Sequence, residues 1–412
     1  MKIVYFTDFF HPSIEGVTAS VTLFSDALRK QGHKVYIVAP AHTHPIKGEH
    51  PDVIRLPSVP SVWHKGMRDG ILTPKIGKLI KDLDADIYHF HTLGMAGMSG
   101  MRLMLDLDMP SVSTYHTDWE HYARVYPRMW AGLITGSLLG PFIVNQPKAW
   151  PETVSGLKPT RNLKEWNDNM IHNLIRVSNE YFDLIIAPSV KIEHMLEGYG
   201  VTRPIEVLAT GINPDDFSIK PTPHRKANKI TQVLYVGRVS KEKNIDVLFD
   251  AMTILKREKQ NVQLRLIGPG PYLARLRQKV KEARLSSYII LEGGLPRNEA
   301  LETYAQADIF AFPSMTDTQA LVLNEAAFSG LPLLFSDTGI SALALDGVTG
   351  LAIEPTGEAY AQAIMRLATS PSERRRFGIA AQEKAQAIVV DRQTPELLKI
   401  YRKAIRIHHA NS

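Results

Sequence analysis

Apolar positions in this chain fall into short, nearly continuous runs separated by stretches with helical spacing, and the alternation occurs twice. "KIVYF" (Lys2–Phe6) predicts a buried strand. Residues 18–30 predict a helix, with Val21, Phe24, Ala27 and Leu28 on one face and Gly32 as its stop. "KVYIVAP" (Lys34–Pro40), "DIYHF" (86–90), "SVSTY" (111–115) and "DLIIAPS" (183–189) predict further strands. After the polar break "KPTPHRKANK" (220–229) the alternation restarts. Strands are predicted at "TQVLYVG" (231–237), "VQLRLIG" (262–268), "YIILEG" (288–293), "DIFAFPS" (308–314) and "LPLLFS" (331–336), with a helix over 245–256. Strands apolar on both faces and separated by helices imply parallel sheets covered on both sides.

The fold class expected is therefore α/β, with two Rossmann-like, doubly wound domains facing across a cleft. The first spans 1–215, joined by a C-terminal helix over 394–412 that crosses back onto it. The second spans 216–393. A helical insertion at about 119–182 breaks the rhythm, and "WAGLITGSLLGPFIV" (130–144) within it is apolar but too short to span a bilayer. It reads either as a buried insertion or as a segment that covers an acceptor pocket or sits in a membrane surface.

Composition narrows the possibilities. The 412 residues suit two or three domains. An apolar fraction of 44% and a charged fraction of 22% are ordinary globular values. The chain has no cysteine, which removes disulfides, zinc–thiolate sites and cysteine nucleophiles. A net charge of +6 is mild and diffuse; it suits phosphorylated ligands or anionic lipid and gives no argument for nucleic acid. "MKIVYFTDFFHP" is too short and too polar after Phe6 for a secretory signal, so the expected location is cytoplasmic, peripheral at the inner face of a membrane.

Candidate chemistry gathers in the second half. In "SMTDTQALVLNEAAFSG" (314–330), Asp317 precedes an apolar run and Glu325 lies within it. A helix predicted over 320–328 would offer unpaired N-terminal amides to a phosphate, and both carboxylates could accept hydroxyl hydrogen bonds. The alternative is that Asp317 caps the helix and Glu325 reaches solvent. "YVGRVSKEKN" (235–244) places Arg238 and Lys243 beyond a strand's carboxyl end, suited to two phosphates.

These stretches, with "IGPGP" (267–271), "YAQADIFAFPS" (304–314), "GLPLL" (330–334), "EGVTASV" (15–21), "QGHKVYIVAP" (31–40), "YHFHT" (88–92) and "YHTD" (115–118), resemble the retaining glycosyltransferases of family 4, whose fold is called GT-B. The resemblance covers nearly the whole chain outside the insertion. It implies that Arg238 and Lys243 hold the donor diphosphate and that Glu325 binds the donor ribose. Asp317 contacts the donor sugar, at a position where the family usually has Glu. His116 is the active-site histidine beside that sugar. Gly16 approaches the diphosphate through its amide, after Glu15 where glycine is common. Gly268, Leu295, Thr318, Gln319, Ala320 and Leu321 complete the donor-binding set, Ala320 standing where glycine is usual. No metal or other cofactor is expected. "TDTQAL" and the aromatics Trp119, Tyr122 and Tyr126 after "HTD" are similar to bacterial enzymes that glycosylate diacylglycerol. The expected partners are thus a nucleotide sugar, with UDP-glucose the first guess, a lipid or glycan acceptor, and a membrane surface. There are three rival readings. Asp82, Asp84 and Asp86, and Asp106 with Asp108, spell the acidic motif of metal-dependent glycosyltransferases, but they fall at the amino ends of strands, away from the expected cleft, and read as solvated turns. A nucleotide-sugar-binding protein without activity, or an epimerase, would share the architecture.

Overall fold

The apolar runs become the strands of two parallel sheets. The computed structural model describes residues 1–13, 16–44, 46–61, 67–120, 128–158, 162–217 and 230–411; Glu15, Tyr122, Tyr126 and the polar break at 220–229 lie outside them. The contacts divide the chain into two units, Met1–Thr210 with Gln393–Ser412, and Gly211–Arg392. The division falls before the boundary expected at 215. Ile212 donates to Ile388 O at 2.9 Å and accepts from Val390 N at 2.8 Å, which fastens residues 211–217 to the second unit.

Unit one holds β1 (Lys2–Phe6), β2 (Lys34–Pro40), β3 (Val53–Leu56), a small hairpin of β4 (Ser58–Pro60) and β5 (Arg68–Gly70), β6 (Ile87–Phe90), β7 (Ser111–Thr114), β8 (Leu184–Ala187) and β9 (Ile205–Val207). The seven-stranded sheet runs β3-β2-β1-β6-β7-β8-β9. Ile3 pairs with Val35 on one side and Ile87 on the other, both parallel. Residues 3–6 are wholly buried because helices cover both faces. The helix Gly16–Lys30 packs Val21, Phe24 and Leu28 onto one face. The C-terminal helix Val390–Asn411 adds Leu397, Leu398, Tyr401 and Ala404 to the same core.

Unit two holds β10 (Thr231–Val236), β11 (Val262–Ile267), β12 (Ile289–Gly293), β13 (Ile309–Phe312), β14 (Leu333–Phe335) and β15 (Gly350–Ala352), ordered β12-β11-β10-β13-β14-β15. In each unit the order reverses beside the first strand, the point where doubly wound sheets bind ligands beyond the strands' carboxyl ends.

The insertion between β7 and β8 is helical: Arg128–Ile143, Trp150–Ser155 and Leu163–Asn179. The reading as a buried insertion holds for one part of it. Leu133, Met170, Ile171 and Ile175 are buried together with Ile192 and Leu196. Leu138, Leu139, Phe142 and Trp150 are exposed, Leu139 at 51% and Phe142 at 55%. Among the described residues no helix is long and apolar enough to cross a membrane. The acidic pairs lie at the amino ends of strands. Asp86 accepts from Lys2 N at 2.7 Å, Asp84 pairs with Lys2 Nζ at 3.3 Å, and Asp108 ends a helix at a left-handed φ of 50°. Among the described residues no cluster of His, Asp or Glu is arranged to hold a metal ion.

Within unit one a buried hydroxyl of the C-terminal helix bonds to the sheet. Tyr401 OH lies 3.0 Å from Tyr5 OH and 2.7 Å from His89 Nδ1. Tyr401→Phe keeps the ring and strands both partners, so it should cost about 1–3 kcal/mol. Urea unfolding followed through unit one would show this as a lower midpoint at unchanged slope; an unmoved midpoint would show that the hydroxyl contributes nothing.

Candidate functional site

In unit two the loops beyond β10 and β13 flank the reversal of strand order. After β10 the chain turns through Gly237, at a φ of 150°, and Arg238 to a short 3-10 turn, Lys241–Lys243. It then enters the helix Ile245–Arg257 through Asn244 at a φ of 52°. Gly268, ending β11 at a φ of 142°, lies against this loop. A Cβ there would fall 1.9 Å from Gly237 O, so only glycine fits. Asn244 Nδ2 donates to Pro313 O at 3.1 Å and Thr316 Oγ1 to Glu242 O at 3.3 Å, which stitches the two loops together.

These bonds bring Lys243 to Asp317, with Nζ 2.6 Å from Oδ1. The side chains are about four-fifths buried, at 17% and 18% exposure. Asp317 Oδ2 is buried and has no hydrogen-bond partner among the described residues. Asp317 does not cap the following helix. That helix, Leu321–Phe328, starts after Ala320, whose methyl side chain offers no cap. Arg238 lies in the β10 loop, with its carbonyl accepting from Tyr235 OH at 3.0 Å. Thr318 and Gln319 lie in the β13 loop, and Leu295 precedes the helix Arg297–Tyr304.

Glu325 is 7% exposed among Leu323, Ala326 and Ala327. A carboxylate so placed needs partners, and it has two. Arg297 Nη1 donates to Oε1 at 2.9 Å and Tyr304 OH to Oε2 at 2.8 Å. Arg297 also reaches Asp216 Oδ2 at 3.3 Å. Neither Arg297 nor Tyr304 was a candidate from sequence. They sit on another helix, and spacing along the chain carries no sign of the contact. A buried carboxylate in an apolar run does signal that some partner exists.

Unit one presents a second set of strand ends. Gly16 opens the helix after β1 and is exposed. Asp8, also after β1, accepts from Thr92 Oγ1 at 2.7 Å, Gly94 N at 2.8 Å and Ala96 N at 2.8 Å, and so anchors the helix Met95–Leu107. Sequence reasoning passed over this residue. His116 follows β7, half-buried, and lines a pocket with His91, Trp119, Ile175, Ser178 and Asn179. His116 Nε2 is 3.1 Å from His91 Nδ1. The loop after it is anchored by Glu120, whose Oε2 accepts from Tyr199 OH at 2.7 Å and lies 3.2 Å from His172 Nε2. Burial holds His89 and His91 well below the ordinary histidine range and pushes His116 down to about 4, so all three rings are neutral at pH 7.

Comparison with known proteins covers both units. Residues 14–216 match the family model described as Glycosyltransferase Family 4, and residues 216–384 the one described as Glycosyl transferases group 1. Among curated proteins, the chain is 26% identical to the alpha-monoglucosyldiacylglycerol synthase of Streptococcus pneumoniae (81% of this chain, 70% of that protein). It is also 26% identical to the enzyme of that name from Acholeplasma laidlawii (85% and 84%). A GDP-mannose-dependent alpha-mannosyltransferase of Mycolicibacterium smegmatis is 26% identical over 94% of this chain and 93% of its own. Among solved structures, sucrose-phosphate synthase from Thermosynechococcus elongatus superposes with a TM-score of 0.73 at 20% identity, covering 98% and 99% of the two chains. Anabaena HepE in complex with UDP and glucose gives 0.68 at 16% identity, covering 97% and 99%. At these identities the structural likeness speaks for the fold.

The neutral histidines make stability depend on pH. Unfolded histidine binds a proton near pH 6.5, whereas folded His116 does so only near pH 4. Acid therefore favours the unfolded chain, and stability present above about pH 6.5 is lost as pH falls toward 4. Between pH 8 and pH 5 His116 alone should account for about 2 kcal/mol. Urea midpoints of the wild type and of His116→Gln measured at both pH values give the difference; equal pH slopes would contradict a buried neutral imidazole.

Proposed function

This chain belongs to the glycosyltransferases of GT-B fold, and we propose that it moves a hexose from a nucleotide sugar to a lipid acceptor, UDP-glucose and diacylglycerol being the first pair to test. The observation that carries the donor assignment is the Lys243–Asp317 pair with its unpartnered Oδ2. A buried carboxylate oxygen without a donor is rare in a folded protein, and a sugar hydroxyl would satisfy it. Lys243 and Arg238 supply positive charge where the leaving diphosphate gains negative charge, the kind of preorganised donor that lowers such barriers most. No metal is needed in this scheme. Each Glu325 oxygen keeps a lone pair beyond those used by Arg297 and Tyr304, and these accept the ribose hydroxyls. Gly16 offers its amide to the diphosphate.

Configuration at the anomeric carbon is retained in this reading. Asp317 and Glu325 are both engaged by hydroxyls, leaving neither as nucleophile, so the acceptor attacks from the face the phosphate leaves, with that phosphate assisting deprotonation. His116, neutral, orients the sugar without opposing the positive charge that develops on it.

The lipid acceptor rests on two supports. The Streptococcus and Acholeplasma relatives are named for diacylglycerol glucosides. The exposed apolar side chains Leu138, Leu139, Phe142 and Trp150 suit a helix lying in a lipid interface. GDP-mannose is the second donor to test, because the Mycolicibacterium relative spans 94% of this chain.

Incubation with UDP-glucose, GDP-mannose or UDP-galactose and lipid extract, with products identified by mass, tests the reaction. An α-linked product from an α-linked donor, formed equally in excess EDTA, is expected. Arg238→Ala and Lys243→Ala should each lower turnover by on the order of 10²–10³. A β linkage, a metal requirement or near-wild-type variants would each overturn the corresponding part. Co-sedimentation with anionic vesicles should fall at high salt and in Leu138→Ser/Leu139→Ser, with donor hydrolysis intact. Unchanged binding would remove the interfacial role of that helix.

A further inference from the structure

Behind His116 lies a column of buried rings. His89 and His91 are 1% and 2% exposed, and their rings lie tilted by 31° with centroids 4.1 Å apart. His89 is held at both nitrogens, Nδ1 by Tyr401 OH at 2.7 Å and Nε2 by Thr114 Oγ1 at 2.7 Å. The Tyr5 ring packs edge-on against both histidines, at 5.0 and 4.6 Å. His91 thus has little freedom to turn. Its Nδ1 faces His116 Nε2 at 3.1 Å, and its Nε2 is buried with no hydrogen-bond partner among the described residues.

Two neutral imidazoles joined by one hydrogen bond can be arranged in two ways. If His116 donated from Nε2, His91 would carry its proton on Nε2, leaving a buried N–H with no acceptor. If His91 donates from Nδ1, its Nε2 keeps a bare lone pair instead, and a stranded acceptor is the more tolerable orphan. We propose that His91 is a positioning residue that donates from Nδ1 to His116 Nε2, and thereby fixes His116 as the Nδ1–H tautomer, with Nδ1 as its donor nitrogen. His91 touches no reacting atom in this scheme. It decides which nitrogen of His116 can give a hydrogen bond, and the consequence for catalysis rests on the placement of His116 beside the transferred sugar under Proposed function.

The tautomer can be read without turnover. In full-length protein labelled with 15N-histidine at pH 7.5, with His116 signals assigned by their loss in His116→Gln, the wild type should show a protonated Nδ1 and an unprotonated Nε2. His91→Phe keeps a ring in the stack and removes the donor, so His116 should shift toward the Nε2–H form. His91→Asn, whose amide nitrogen reaches about where Nδ1 stood, should restore the wild-type pattern. Turnover should fall about tenfold or more in His91→Phe and recover to within about threefold in His91→Asn, with nucleotide affinity unchanged in both. A wild-type spectrum dominated by the Nε2–H form, or a His116 tautomer indifferent to His91→Phe, overturns the proposal. The expected spectra without any sugar transfer would leave the tautomer standing and reject the reading of the reaction.

Discussion

A central strand with parallel neighbours on both sides forces its flanking chain apart. Right-handed crossovers carry the chain from β10 to one side and bring it back at β13 on the other, so the helices after these strands lie on opposite faces of the sheet. The loops that lead into them leave the sheet side by side, and in unit two bonds from Asn244 to Pro313 O and from Thr316 to Glu242 O join them. Unit one repeats the arrangement with β1 between β2 and β6. The candidate site residues of both units lie where this constraint places them. Gly237 to Lys243 and Ser314 to Leu321 leave neighbouring strands, and so do Asp8 to Gly16 and His91 to Leu93.

Polar groups placed beside such a core have to be satisfied, and the two units do so differently. In unit two charge is set against charge, Lys243 with Asp317 and Arg297 with Glu325 and Asp216. Each pair leaves acceptor capacity over, and Asp317 Oδ2 is its clearest instance. In unit one neutral rings do the work. Burial strips His89, His91 and His116 of protons, and edge-on packing of Tyr5 against the first two, with Tyr401 bonded to His89, holds the inner rings in order.

The insertion shows how one apolar segment serves two environments. Leu133 joins a core with Met170, Ile171 and Ile175, while Leu138, Leu139 and Phe142 on the same helix face outward. These outward side chains are the observation on which the proposed lipid interface rests.

Local pattern was enough for much of this protein. β1 and β2 have the limits their apolar runs predict, and the helix Ile245–Arg257 departs from its periodicity by a single residue. Long buried runs bounded by glycine, proline or polar residues leave the backbone few choices. The short strands β3, β9 and β15 carry no such signal, because they pair along the sheet's outer positions and their identity comes from a neighbour already in place. Asp317, Glu325, Arg238, Lys243 and His116 were legible because each belongs to a contiguous motif. Arg297, Tyr304, Asp8 and His91 acquired their roles from partners 21 to 88 residues away along the chain. Residue order determined which chemistry the chain carries. Which carboxylate is paired, which histidine is neutral and which oxygen is buried without a donor were decided by packing, since burial sets the cost of an unmet charge or proton and only the folded chain has an inside.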